Sequence, residues 1–118
     1  MASERQMRVG ERVRSELMDL LLMGAIKDPG VRDAVVHAVK VSPDLSSARV
    51  YVRLGRPGAT EKQREALLRG LERAKGFVRR ELGKRLRLRR TPELKFFWDE
   101  TAETAARIEQ ILDEVKED

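Results

Sequence analysis

Eight cations crowd residues 75–90: Lys75, Arg79, Arg80, Lys84, Arg85, Arg87, Arg89 and Arg90. Side chains of this type, at this density, suit phosphate binding. Each guanidinium can grip a phosphate with two N–H groups or stack on an exposed base. Each phosphate contact also displaces counterions, so binding of this kind weakens with salt. A charge run serves equally well as a solvated helix face, and angular placement helps to separate the two uses. At about 100° per residue, Arg79, Arg80, Lys84 and Arg87 share an arc of roughly 140°. Arg85 and Arg89 fall nearer the apolar side of the wheel. Arg49 and Arg53 are expected chiefly to keep a sheet face solvated.

Catalytic constellations are thin by comparison. The chain has 118 residues, no Cys and one His, His37. Thiol catalysis, thiolate metal sites and a disulfide scaffold are excluded. No H-E-x-x-H, G-x-S-x-G or G-x-x-x-x-G-K-[ST] pattern is present. His37 reads as a partly buried strand side chain rather than a base. Asp99, Glu100 and Glu103 are better explained as the start of a helix than as metal ligands. No cofactor is expected.

The elements that must position these groups follow from periodicity. Residues 5–23 carry Val9, Val13, Leu17, Leu20 and Leu21 at helical spacing, and Gly24 provides a stop. Lys27–Gly30 form a loop, with Pro29 holding the residue before it extended. Residues 34–42 are rich in β-branched side chains and predict a strand. After a turn at Pro43-Asp44, residues 47–54 alternate, with Ala48, Val50, Val52 and Leu54 against Arg49, Tyr51 and Arg53. This predicts an antiparallel hairpin with one dry face.

Thr60 with Gln63 predicts a capped helix start, with Leu67, Leu68, Leu71 and Ala74 on its apolar side. A second helical stretch runs from Phe77 to about Leu86. Residues 93–98 predict a third strand, Leu94, Phe96 and Trp98 opposing Lys95 and Phe97. A terminal helix is expected from Asp99 or Thr101, striped by Ala105, Ile108, Ile111, Leu112 and Val115, its acidic last turn frayed. The resulting class is α+β, in the order α-β-β-α-α-β plus a terminal helix, a three-stranded sheet covered by helices. That is the element order of a type II KH domain, an RNA-binding module.

Charge is uneven along this order. Residues 64–90 carry a net +8 and residues 99–118 a net −6, within a chain of net +5 and pI near 10.0. The balance favours a polyanion partner. Aromatic residues are only 4% of the chain, which argues against rows of stacked bases. No apolar run approaches membrane-spanning length. The opening MASERQMRVGER lacks the apolar core of a leader, so a cytoplasmic domain is expected.

A KH domain carries a G-x-x-G loop between two helices. Gly55-Arg56-Pro57-Gly58 matches literally but sits between strand and helix, where glycines are needed anyway. The junction in the right place is Ala74-Lys75-Gly76. Its single glycine is compatible with a kink or with a glycine tolerated inside one long helix, at about 1 kcal/mol.

Taken together, ERVRSELMDLL, KDPGV, VSPDLSSARVYV, LERAKGFVRRELGKRLRLRRTPEL and FFWDET resemble, in order, the ribosome-binding factor A family of bacterial small-subunit assembly factors. The resemblance runs from about Arg12 to Leu112. It implies a KH-like domain over residues 1–99, with residues 100–118 an acidic helix or tail. It also implies a kink at Ala74, Lys75 and Gly76 in place of the G-x-x-G loop. The implied partner is 16S rRNA in the free 30S subunit, with late maturation near the 5′-terminal helix, a role under cold shock and a link to assembly GTPases. No catalysis, DNA or membrane partner is implied, and the protein is expected to be a monomer. The RNA-binding residues so expected are Lys75, Gly76, Arg79, Arg80, Lys84, Arg87, Arg89 and Arg90. The alternative is an adaptor that reaches the subunit through a ribosomal protein or GTPase, its basic face serving only solvation.

Overall fold

Ser3 starts the first element of this computed structural model, which describes residues 1–100. The Ser3 hydroxyl accepts the Gln6 N–H at 3.1 Å and the Gln6 side chain accepts the Ser3 N–H at 2.7 Å. This capping box satisfies two N–H groups that a helix start leaves without partners. Helix α1 then spans Glu4–Leu22, with Val9, Val13, Leu17 and Leu20 buried along one stripe. Gly24 adopts φ +71°, the left-handed conformation that ends a helix cheaply.

Strands β1 (Ala34–Val41) and β2 (Ser47–Leu54) pair antiparallel, with a register shift between Val36 and Ala38. The turn between them is organised by Asp44. Its carboxylate accepts the hydroxyls of Ser42 and Ser46, both at 2.7 Å, and the Ser46 N–H. These donors hold the Asp44 carboxyl down to about 2, the Ser46 hydroxyl contributing most.

Helix α2 (Glu61–Leu86) begins at the expected Thr60–Gln63 capping box. It crosses over the sheet and delivers the chain to β3 (Glu93–Trp98), which pairs parallel to β2. A parallel pairing requires such a crossover. The sheet order is β1-β2-β3. Both helices bury their apolar stripes on one sheet face. Val13, Leu17, Val50, Val52, Leu67, Leu71, Val78, Leu82 and Leu94 are fully buried there. The fold is α+β, as its periodicities dictate.

The two helical stretches expected on either side of Ala74-Lys75-Gly76 instead form a single element, helical from Glu61 to Leu86. The physical reason is the apolar stripe. Leu67, Leu71, Ala74, Val78, Leu82 and Leu86 continue one helical spacing through the glycine, and all but the half-buried Ala74 are buried. Breaking the helix would orphan several backbone N–H and C=O groups. Keeping Gly76 inside costs only about 1 kcal/mol. The expected terminal helix after Asp99 lies outside the described residues.

Candidate nucleic-acid interface

The basic face rides on α2, so what fixes α2 fixes the site. At its N-terminal half the fixture is the loop before β1. Asp28 caps a single 3₁₀ turn, Pro29–Val31, accepting the Gly30 N–H at 2.9 Å. Its other oxygen accepts Nε and Nη2 of Arg73 on α2, at 3.0 and 2.8 Å. The Arg73 guanidinium, with help from the Gly30 N–H, holds the Asp28 carboxyl below its ordinary range. Loop and helix approach very closely. A Cβ on Gly30 would collide with the Ala66 carbonyl, and one on Gly70 would lie 2.9 Å from Asp28 Oδ1 and 3.0 Å from Val31 Cγ1.

The C-terminal half is tied to α1. Arg85 donates to Glu16 at 3.0 Å and Asp19 at 2.8 Å, and the two carboxylates, Asp19 foremost, raise its pKa. Arg12 of α1 reaches the carbonyls of Arg85 and Leu86 in the last turn of α2, at 3.4 and 3.3 Å. Those carbonyls have no partners within the helix, and a cation there also meets the negative end of its dipole. Arg85 is therefore a tether, in keeping with its place near the apolar side of the wheel. The role of Arg12 had no local signal in sequence, because its partner lies more than 70 residues away.

The expected site residues divide by what already holds them. Lys75 is only 25% exposed; its ammonium pairs with Glu72 at 2.6 Å and sits 5.9 Å from the centre of the Phe96 ring. Arg79 is exposed and donates to the Thr91 carbonyl at 3.1 Å, fastening the segment after the helix. Lys84 is exposed beside Glu81 at 3.5 Å. Arg80, Arg87, Arg89 and Arg90 are exposed and make no ion pair or hydrogen bond among the described residues. Gly76 is exposed, and a Cβ there would meet only Arg80 Nη1, at 3.8 Å.

Arg87 takes φ 52°, ψ 33°, the left-handed residue that ends α2. That turn sends Leu88–Arg90 back toward the β1–β2 turn. There Arg89 and Arg90 join Arg5 of α1 around a cleft of about 640 Å³, with Leu45, Leu88 and the Asp44 carboxylate in its wall. Arg5 was absent from the sequence expectation, since one cation in a helical first turn carries no signal of its own.

The arrangement presents four guanidinium groups without side-chain partners among the described residues, Arg80 on α2 and Arg87, Arg89 and Arg90 just beyond its last residue. Guanidinium groups so placed can bind phosphate through paired N–H donors. Among the described residues no group of three His, Cys, Asp or Glu side chains could hold a metal ion. His37 lies half exposed on β1, its Nδ1 3.3 Å from Asp99 Oδ2. No described helix is long and apolar enough to cross a membrane.

Comparison with solved structures finds the same architecture. The crystal structure of ribosome-binding factor A from Thermus thermophilus is 32% identical, covers 78% of this chain and 93% of its own, and superposes with a TM-score of 0.64. A solution structure of a putative ribosome-binding factor A from Thermotoga maritima is 29% identical, covering 82% and 89%, with a TM-score of 0.67. A homology model of the Thermus thermophilus factor, fitted into a cryo-EM map of its complex with the 30S subunit, is 33% identical, covering 72% and 89%, with a TM-score of 0.53. The family model for ribosome-binding factor A matches residues 5–112, from α1 through the basic helix and β3 into the terminal segment, and the chain belongs to that family.

Proposed function

We propose that this protein binds the free 30S ribosomal subunit through 16S rRNA and assists late maturation of that RNA near its 5′-terminal helix, without catalysing a reaction itself. The contact is made by Arg79, Arg80, Lys84, Arg87, Arg89 and Arg90, with Gly76 allowing close approach and Lys75 in a supporting position. The observation that carries the reading is the set of guanidinium groups left without side-chain partners among the described residues, Arg80 on α2 and Arg87, Arg89 and Arg90 just past its end, where Arg85 and Arg12 tie the helix to α1. Unpaired surface arginines on a rigid support suit a polyanion of fixed shape. The related Thermus thermophilus factor is described in complex with the 30S subunit, which supports the choice of partner.

On this reading residues 1–99 form the binding domain and residues 100–118 an acidic appendage. The protein works in the cytoplasm as a monomer, in concert with assembly GTPases, and is in demand under cold shock. The test is subunit binding by Arg79→Glu with Arg80→Glu. Loss of binding with the fold retained, read by circular dichroism, is expected. Normal binding removes α2 as the RNA surface, and binding that survives ribonuclease treatment transfers the contact to a protein.

A further inference from the structure

The face of the sheet turned away from the helices is built differently from an ordinary solvated face. Reading across the strands in register, Lys40 pairs with Arg49 and Arg49 with Lys95. Three cations thus lie side by side on β1, β2 and β3, all exposed, and none of their side chains makes an ion pair or hydrogen bond among the described residues. Like charges directly opposite one another destabilise a sheet. Solubility would be served as well by alternating signs, so the row is an uncompensated cost to folding.

The next row on the same face holds Ala38, Tyr51 and Phe97. Tyr51 and Phe97 stack with ring centroids 5.7 Å apart and planes inclined by 28°. Phe97 is 40% exposed, while its chain neighbours Phe96 and Trp98 turn toward α2 and are partly buried. Arg53 follows one row beyond. Among the described residues of these strands and their ends, carboxylates flank the face at Glu93, before the cationic row, and at Asp99, beside His37. Low aromatic content argued against stacked bases, yet two of the chain's five aromatic rings are placed together here, bordered by cations.

We propose that this sheet face is a second RNA surface, on which unpaired bases stack against Tyr51 and Phe97 while Lys40, Arg49 and Lys95 hold the adjoining phosphates. Aromatic rings on an open sheet stack bases without regard to sequence, and neighbouring cations supply the salt-dependent part of the affinity. A duplex, its bases already stacked, gains nothing from the rings. The preferred ligand is therefore a single-stranded segment. The surface lies opposite α2, so its failure and that of the α2 contact are separable.

The test is binding of a labelled ten-nucleotide oligouridylate, followed by fluorescence anisotropy across a salt series and by amide shift mapping. Mapping is expected to move Lys40, Arg49, Tyr51, Lys95 and Phe97. Tyr51→Ser with Phe97→Ser should weaken binding at least about fivefold, the lower end for one lost stacked base. Tyr51→Phe and Phe97→Tyr, which keep the rings, should bind as the parent does, and circular dichroism of the serine variant should show the parent's fold. Neutralising Lys40, Arg49 and Lys95 together should reduce the salt slope by about 2 for a single strand. Shifts confined to α2, unchanged affinity without the rings, or equal competition by an oligoglutamate peptide of the same charge would each overturn the proposal.

Discussion

Two glycines of α2 should respond oppositely to the same substitution. Gly76→Ala adds a methyl group that meets nothing closer than Arg80 Nη1, at 3.8 Å. The change removes the flexibility of glycine from a helix interior, which stabilises by about 0.8–1.0 kcal/mol. Gly70→Ala carries the same propensity gain. Its methyl group, however, would lie 2.9 Å from Asp28 Oδ1 and 3.0 Å from both Asp28 Cγ and Val31 Cγ1. Asp28 cannot swing aside, because Arg73 and the Gly30 N–H hold both of its oxygens. Overpacking of this kind costs about 1–3 kcal/mol, which outweighs the gain over most of that range.

For a chain of this length about 1 kcal/mol moves the melting temperature by roughly 3–6 °C. Differential scanning calorimetry should therefore show Gly76→Ala melting higher than the parent by about that amount and Gly70→Ala melting lower. A Gly76→Ala protein that melts well below the parent would refute the reasoning, since it would mean that α2 depends on glycine geometry at that point. Subunit binding adds a second readout. If Gly76 serves close approach of RNA, its alanine variant gains stability and loses affinity together.

Other consequences are equally direct. Replacing Arg80, Arg87, Arg89 and Arg90 by Gln should lower the salt slope of subunit binding by about 3, whereas Lys75→Gln, whose charge is already engaged by Glu72 and Phe96, should scarcely change it; both are read by filter binding between low and moderate salt. Asp44 is depressed to about 2 in the folded chain, so its contribution is complete above the unfolded carboxylate value near 4 and fades as pH falls toward 2. The stability gap between parent and Asp44→Asn in urea titrations should therefore close between about pH 4 and pH 2. Leu71→Ala, at a fully buried position facing the sheet, should lose about 2–5 kcal/mol in chemical denaturation and leave subunit binding intact below its melting range.

Much of this fold is legible residue by residue. Ala48, Val50, Val52 and Leu54 announce a strand because a sheet with one dry face imposes a period of two. Thr60 and Gln63 announce the start of α2 because capping is a local arrangement across three residues. The basic face was visible for the same reason, as its residues share one helix and the few positions after it. Tertiary pairings were not visible. Arg73 with Asp28, Arg85 with Glu16 and Asp19, and Arg12 with the end of α2 join residues 45 or more positions apart. Angular placement set Arg85 apart, but it set Arg89 apart equally, and only the fold separates the one that tethers from the one that stays exposed. Lys75 shows the consequence: grouped with the binding cations by sequence, it is largely engaged by its own fold. The Tyr51–Phe97 pair was hidden likewise, since each ring sits in a separate alternating strand and only the parallel register brings them together.

On the proposed function, the unpaired cations of this protein recognise RNA of the free small subunit. The most direct test of that recognition is co-sedimentation of the purified protein with free 30S subunits and with assembled ribosomes, across a salt series. Binding to free subunits alone, falling steeply as salt rises, is expected. Binding to neither particle, or binding to free subunits that salt leaves unchanged, would contradict it.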